Sequence, residues 1–190
     1  MYYPPLPPEE RFVDGLKLPV PDDPTVAREI LEEAQELAKR PIARGEAAER
    51  RATTLQSAVA IAATFTLAAG SLAADTQKVP SQWWRVGFAL AVFAAVIAFA
   101  VAGIVALQAT GRIKRWSEAD AEDGFAERVR LGLADAQMAR AHELLIVYGK
   151  NDRVARWKIE RTSRSADWFR VGLGLLVVLA GVFVAYAFFG

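Results

Sequence analysis

Five basic residues crowd one short stretch: Arg153, Arg156, Lys158, Arg161 and Arg164. Guanidinium forks and ammonium groups at this density suit phosphate-bearing partners. Together with Lys150 and Arg140 on a facing helix they would frame an anion or nucleotide site. Arg153, Arg156, Arg164, Lys150 and Arg140 are therefore the candidate ligand-binding residues. The plainer alternative is that arginines beside a membrane set topology and touch anionic headgroups, at about 1 kcal/mol per basic residue. A nucleic-acid polymer is a poor partner, because the cluster lies within a turn or two of an apolar segment and carries no nucleic-acid fold signature.

Other chemistry is harder to find. His142 is the only histidine and sits beside Glu143 on a helix, where a solvated or lightly packed imidazole is the expectation. Glu118, Asp120, Glu122 and Asp123 lead to Gly124 as in a calcium loop, yet alanine holds the first and third ligand positions, so no metal is expected. Gly149-Lys150 lacks the glycine-rich lead and the following Ser or Thr of a phosphate loop. There is no cysteine, hence no thiol nucleophile or disulfide framework. No nucleophile pairs with a base, and the chain reads as a non-enzyme without a cofactor.

The elements that would position the basic cluster are apolar. Arg51 and Asp75 bracket an uncharged run of about 23 residues, Arg85 and Arg112 one of about 26, and Val171 to Phe189 is a third of the same class. The expectation is an all-α membrane protein with three transmembrane helices, an N-terminal hairpin plus a C-terminal span, and a small cytoplasmic helical bundle. The first span is only marginally apolar and should insert with the second, facing protein rather than lipid. Ser57, Thr64 and Ser71 recur at heptad spacing with Ala60 and Ala68 nearby, a small, polar stripe suited to helix packing or to an oligomer contact, with a pore face as the bolder reading. Gly174 and Gly181 have the spacing of a second packing face. The second span is apolar on every side and reads as lipid-exposed. No ionisable residue sits mid-span, which speaks against a proton relay or ion-coupled transporter.

Lys and Arg flank the spans unequally. By the positive-inside rule the N-terminal region and residues 111–167 are cytoplasmic, and the 75–82 connector and the C-terminus lie outside a bacterial inner membrane. Trp83, Trp84, Trp168 and Tyr186 fall near the interfaces. No secretory signal is read, because the start is proline-rich rather than basic and then apolar.

The polar parts divide as follows: 1–23 a flexible proline-rich tail, 24–52 an amphipathic helix and lead-in, 53–110 the hairpin, 111–167 the cytoplasmic helical region, 168–190 the third span. Asp23 should N-cap a helix with Pro24 at its first position and an acidic first turn that includes Glu29. Ala27, Ile30, Ala34 and Leu37 form its apolar face. Pro41 should interrupt it, at about 3 kcal/mol for an interior proline. Ser117 and Asp120 resemble a capping box ahead of a helix from about Phe125 to Tyr148, with a seam of Leu131, Ala134, Met138, Ala141, Leu145 and Tyr148. Gly149 should end that helix and Asn151 or Asp152 cap the next, which returns to the membrane.

This arrangement has a likeness. Glu49-Arg50-Arg51-Ala52 runs into the first span, a short hairpin and a helical insert follow, and then Asn151, Arg153, Lys158 and Ala166 precede a last span. The order resembles that of small bacterial membrane effectors of nucleotide-signalled antiphage systems, the Pycsar transmembrane effectors and the related SLATT-type proteins. The likeness covers residues 24–190 in architecture. Arginine stands at 51 where lysine is common, and the first span is rich in alanine and threonine rather than leucine. The resemblance implies an effector that impairs inner-membrane integrity, with the lipid bilayer and copies of itself as partners and a cyclic nucleotide as candidate ligand. Arg153, Arg156 and Arg164 would meet the anion, and Ser57, Thr64 and Ser71 the neighbouring copy. The competing reading is a non-catalytic membrane scaffold or accessory subunit that docks a partner.

Overall fold

A computed structural model describes residues 21, 23–75, 82–111 and 132–189. They form three helices: α1 Pro24–Asp75, α2 Gln82–Thr110 and α3 Leu133–Phe189. The proposed capping box, the start of a helix near Phe125 and Leu131 lie outside the described residues, as do residues 1–20 and the connector 76–81. Two compact units are present, one within Met1–Gly45 and Ile113–Arg156, the other within Glu46–Arg112 and Trp157–Gly190.

The start of α1 is as its sequence demands. Asp23 Oδ1 accepts the Thr25 N–H at 2.8 Å, and its carbonyl accepts the Ala27 N–H at 3.3 Å. The side chain thus satisfies a donor that the first turn leaves open, while Pro24 has no N–H to satisfy. The Thr25 backbone N–H first, and then the Thr25 side chain, hold the Asp23 carboxyl below its usual range. Glu29 is a correction: it falls beyond the first turn, which carries no acidic residue.

Neither expected helix break occurs. Pro41 lies inside α1, which runs unbroken through it. Gly149 lies inside α3, so Asn151 and Asp152 are mid-helix residues rather than caps. Intrinsic propensity is a weak term when a side chain is packed. Pro41 is fully buried, and Asn151 and Asp152 are buried with it on the inner faces. A glycine costs about 1 kcal/mol inside a helix, which such packing offsets.

In the first unit α1 and α3 lie parallel. Ala34 and Ala38 pack on Ala141 and Leu144, with Ile30 and Leu31 against them. The apolar face of α1 is therefore met by the Met138–Ala141 seam of α3, whose buried centre passes through Leu144 and Val147, with Leu145 and Tyr148 to either side. Gly45 approaches Ala155 closely, with the Ala155 Cα 3.9 Å from where a Cβ would stand.

In the second unit α2 is flanked by both other helices. Ala52 packs on Ala106 and Ala109, and Gln56 Nε2 donates to Thr110 Oγ1 at 3.2 Å. Val59, Ala95, Phe99 and Ala102 form a core with Phe169, Leu175 and Leu176. The expectation that α2 is lipid-facing all round needs correcting: Ala95, Ala98, Phe99, Ala102, Ala106 and Ala109 are buried. Small side chains at three-and-four spacing let helices approach closely, which an averaged hydrophobicity hides. The other side of α2 exposes Leu90, Phe93, Ile97, Ile104 and Leu107.

Among the described residues two helices are long and apolar enough to cross a membrane, α2 over Val86–Thr110 and α3 within Leu133–Val182. Over its described residues, the span expected in α1 does not reach that measure.

Candidate functional site

The buried polar residues of the second unit gather on one seam of α3: Lys158, Thr162 and Ser165. Spacings of four and three keep them on one helical face. The Lys158 ammonium donates to the Glu49 carboxylate on α1. Thr162 Oγ1 donates to the Lys158 carbonyl at 2.8 Å and reaches the Ala48 carbonyl of α1 at 3.3 Å. Ser165 Oγ donates to the Ala102 carbonyl of α2 at 2.8 Å. One helix thus clasps both others through polar groups whose partners are interhelical.

Below this polar seam the contact becomes aromatic. The Phe99 and Phe169 rings lie 5.8 Å apart at 53°. A Cβ added at Gly172 would stand 2.6 Å from the Phe99 ring, so only glycine admits that ring.

A second polar group belongs to the first unit. Asp152 Oδ1 accepts from Arg44 at 2.5 Å and Asp152 Oδ2 accepts from Arg156 at 2.7 Å. The carboxylate is one-tenth exposed and both guanidiniums reach solvent.

The candidate anion residues do not converge. Arg140, Lys150, Arg153, Arg156 and Arg164 all stand on the single helix α3, so the facing helix expected for Arg140 and Lys150 does not exist. Arg140 meets Glu143 at 3.4 Å, and the exposed Arg164 meets Glu160 at 2.5 Å. Arg153 is half-buried and Lys150 exposed, and both have partners. His142 is half-buried on the same helix. Among the described residues no three metal-ligating side chains come together.

The small stripe of α1 faces outward. Ser57, Thr64 and Ser71 are exposed, and their hydroxyls donate to the carbonyls of Thr53, Ala60 and Ala68 on their own helix. The intramolecular face is instead Ala52, Val59 and Thr66, another heptad row. Gly174 and Gly181 likewise have open space beside them, and the close packing falls at Gly172.

Sequence reasoning missed Glu49, Asp152, Thr162 and Ser165 as structural partners. A signal existed in the continuation of the Met138–Ala141 spacing past Gly149, but it is written in polar residues. Compared with protein-family models, with curated proteins and with solved structures, the chain matches none.

Proposed function

We propose that this chain is a three-span protein of a bacterial inner membrane that assembles with copies of itself and impairs membrane integrity as an antiphage effector. The observation that carries the membrane part is the outside of the second unit. Ile61, Phe65 and Leu67 on α1, Leu90, Phe93 and Ile97 on α2, and Val177, Val178 and Val182 on α3 are all exposed. A surface this apolar suits lipid rather than water. The α1 segment, too polar to insert alone, gains a partner in α2, and its outward hydroxyls suit contact with another copy. The effector role rests on the order of elements that resembles the Pycsar and SLATT-type proteins. In this topology the N-terminus is cytoplasmic and the C-terminus outside.

A cyclic nucleotide that acted on the arginines would have to displace Asp152 from Arg156 or Glu160 from Arg164. That local neutralisation favours the second reading, a membrane scaffold that docks a partner without a small ligand.

Membrane potential, followed with a voltage-sensitive dye in cells expressing the chain with and without a cyclic-nucleotide synthase, separates the two. Depolarisation that requires the synthase supports the gated effector. An unchanged potential with protein confirmed in the membrane removes it and leaves the scaffold, whose partner should then co-purify.

A further inference from the structure

Depth within the second unit can be read from the α2 residue that each neighbouring helix stands beside. α1 keeps step with α2. Gln56 pairs with Thr110, Val59 lies beside Gly103 and Val92 beside Gly70, so both apolar stretches start together near Ala52 and Thr110. α3 does not keep that step. Its Ser165 bonds Ala102, and its Phe169 and Gly172 meet Phe99. Phe99 lies near the middle of Val86–Thr110, about three turns and about 16 Å from Thr110. Yet the uncharged part of α3 begins only at Val171. Lys158 and Thr162 still stand beside Glu49 and Ala48, at the lead-in to the hairpin, but Arg164, Asp167 and Arg170 run alongside its inner half, at depths where α2 exposes Ile97, Ile104 and Leu107.

These charges also point outward. Lys158, Thr162, Ser165 and Gly172 occupy the buried seam of α3, and Glu160, Arg164 and Asp167 lie on the opposite side. The side chains of Glu160 and Arg164 are 58% exposed, those of Asp167 and Arg170 64% and 77%. Snorkelling lifts an arginine head by roughly a turn and does little for the short stem of Asp167. At bilayer depth ionised groups are accommodated by protein or by a water-filled cavity. Here each charge already has its counter-ion on its own helix, Arg164 with Glu160 and Arg170 with Asp167 at 2.9 Å. What the face lacks is hydration, not a complementary charge.

We infer that the outer face of α3 from Arg164 to Arg170 lines a water-filled crevice that opens on the cytoplasmic side and reaches the middle of the bilayer. It admits water and small inorganic ions and ends where Val171, Leu173 and Val177 begin an exposed apolar surface. The inference rests on the membrane reading above, and it gives an effector half of an ion path before any rearrangement.

The cysteine-free chain makes the test direct. Single variants Ser163→Cys and Asp167→Cys on α3, and Ile97→Cys and Ile104→Cys on α2, are expressed full-length. Inside-out membrane vesicles are then treated with a charged, membrane-impermeant maleimide, and labelling after denaturation gives the total thiol. The α3 pair should label at least roughly tenfold faster than the α2 pair, because a hydrated thiol ionises and a lipid-facing one does not. Slow labelling of all four overturns the crevice and leaves the membrane reading intact. Fast Ser163→Cys with slow Asp167→Cys confines water to the headgroup level and overturns it as well. Fast labelling of all four overturns the membrane reading itself, and the crevice with it.

Discussion

The Lys158 ammonium, 2% exposed, is closed off by the Glu49 carboxylate of the neighbouring helix. Removing one partner from such a pair strands the other, whereas replacing both with apolar groups of similar size is often neutral. Glu49→Leu, which strands the buried ammonium, should therefore destabilise the protein by about 3–5 kcal/mol, seen as a lower midpoint of thermal unfolding in detergent. The double variant Glu49→Leu with Lys158→Met should recover most of that loss. A single variant as stable as the parent would mean that the pair is not buried.

Gly172 and Gly174 should respond in opposite directions. Alanine improves helix propensity by about 1 kcal/mol at either site. At Gly172 the new Cβ meets the buried Phe99 ring, and overpacking of this kind costs about 1–3 kcal/mol. Gly172→Ala should lower the unfolding midpoint, Gly174→Ala should hold or raise it, and Phe99→Leu should relieve the first. Equal effects at both glycines would refute the close approach.

The Asp23 cap should confer a pH dependence at the start of α1. Its carboxyl is held below the usual range by the Thr25 N–H and side chain. The cap's contribution is complete above the carboxyl's unfolded-state pKa and fades as pH falls through the lower, folded value. Protection of the amides over Thr25–Arg28, measured against their intrinsic exchange rate at each pH, should fall under those acid conditions. In Asp23→Asn, which caps without ionising, it should stay flat with respect to this titration. Parallel pH profiles for the two chains would show that the cap does not form.

The outward hydroxyls of α1 give a test of assembly. Ser57→Leu, Thr64→Leu and Ser71→Leu together leave the packed row Ala52, Val59 and Thr66 untouched. Interhelical hydroxyl contacts average roughly 0.6 kcal/mol each, so on the proposed self-assembly the loss of three should weaken the oligomer about twentyfold and deplete cross-linked species while monomer folding persists. Oligomers undiminished in the triple variant would place the contact elsewhere.

Much of the helical outline is legible in the residue pattern, and the reason is local. An N-cap with a following proline marks α1, an uncharged run marks α2, and Met138 with Ala141 announces the apolar seam of α3. The helix breaks at Pro41 and Gly149 are misread because their cost, about 3 and about 1 kcal/mol, is local and visible in the sequence, while the packing that overrides it comes from residues about a hundred positions away. The candidate site suffers for the same reason. Arg156 and Arg164 look available as a list of charges, but Asp152 and Glu160, each four residues earlier, already engage them. Lys158 looks like another member of the basic cluster until its place on the seam, between Ala155 and Thr162, is recognised.

The row Ala95, Ala98, Ala102, Ala106 and Ala109 of α2 has a consequence for how this protein can vary. On the membrane reading proposed above, Leu90, Phe93, Ile104 and Leu107 can be exchanged among apolar side chains with little effect, since lipid would accommodate any of them. At the alanine row every enlargement pushes a neighbouring helix away, and glycine is the only smaller residue. A saturation mutagenesis screen of α2 should therefore read as a two-letter stripe, permissive on one side and closed to growth on the other. The periodicity of intolerance, rather than that of hydrophobicity, would then report which way the helix faces.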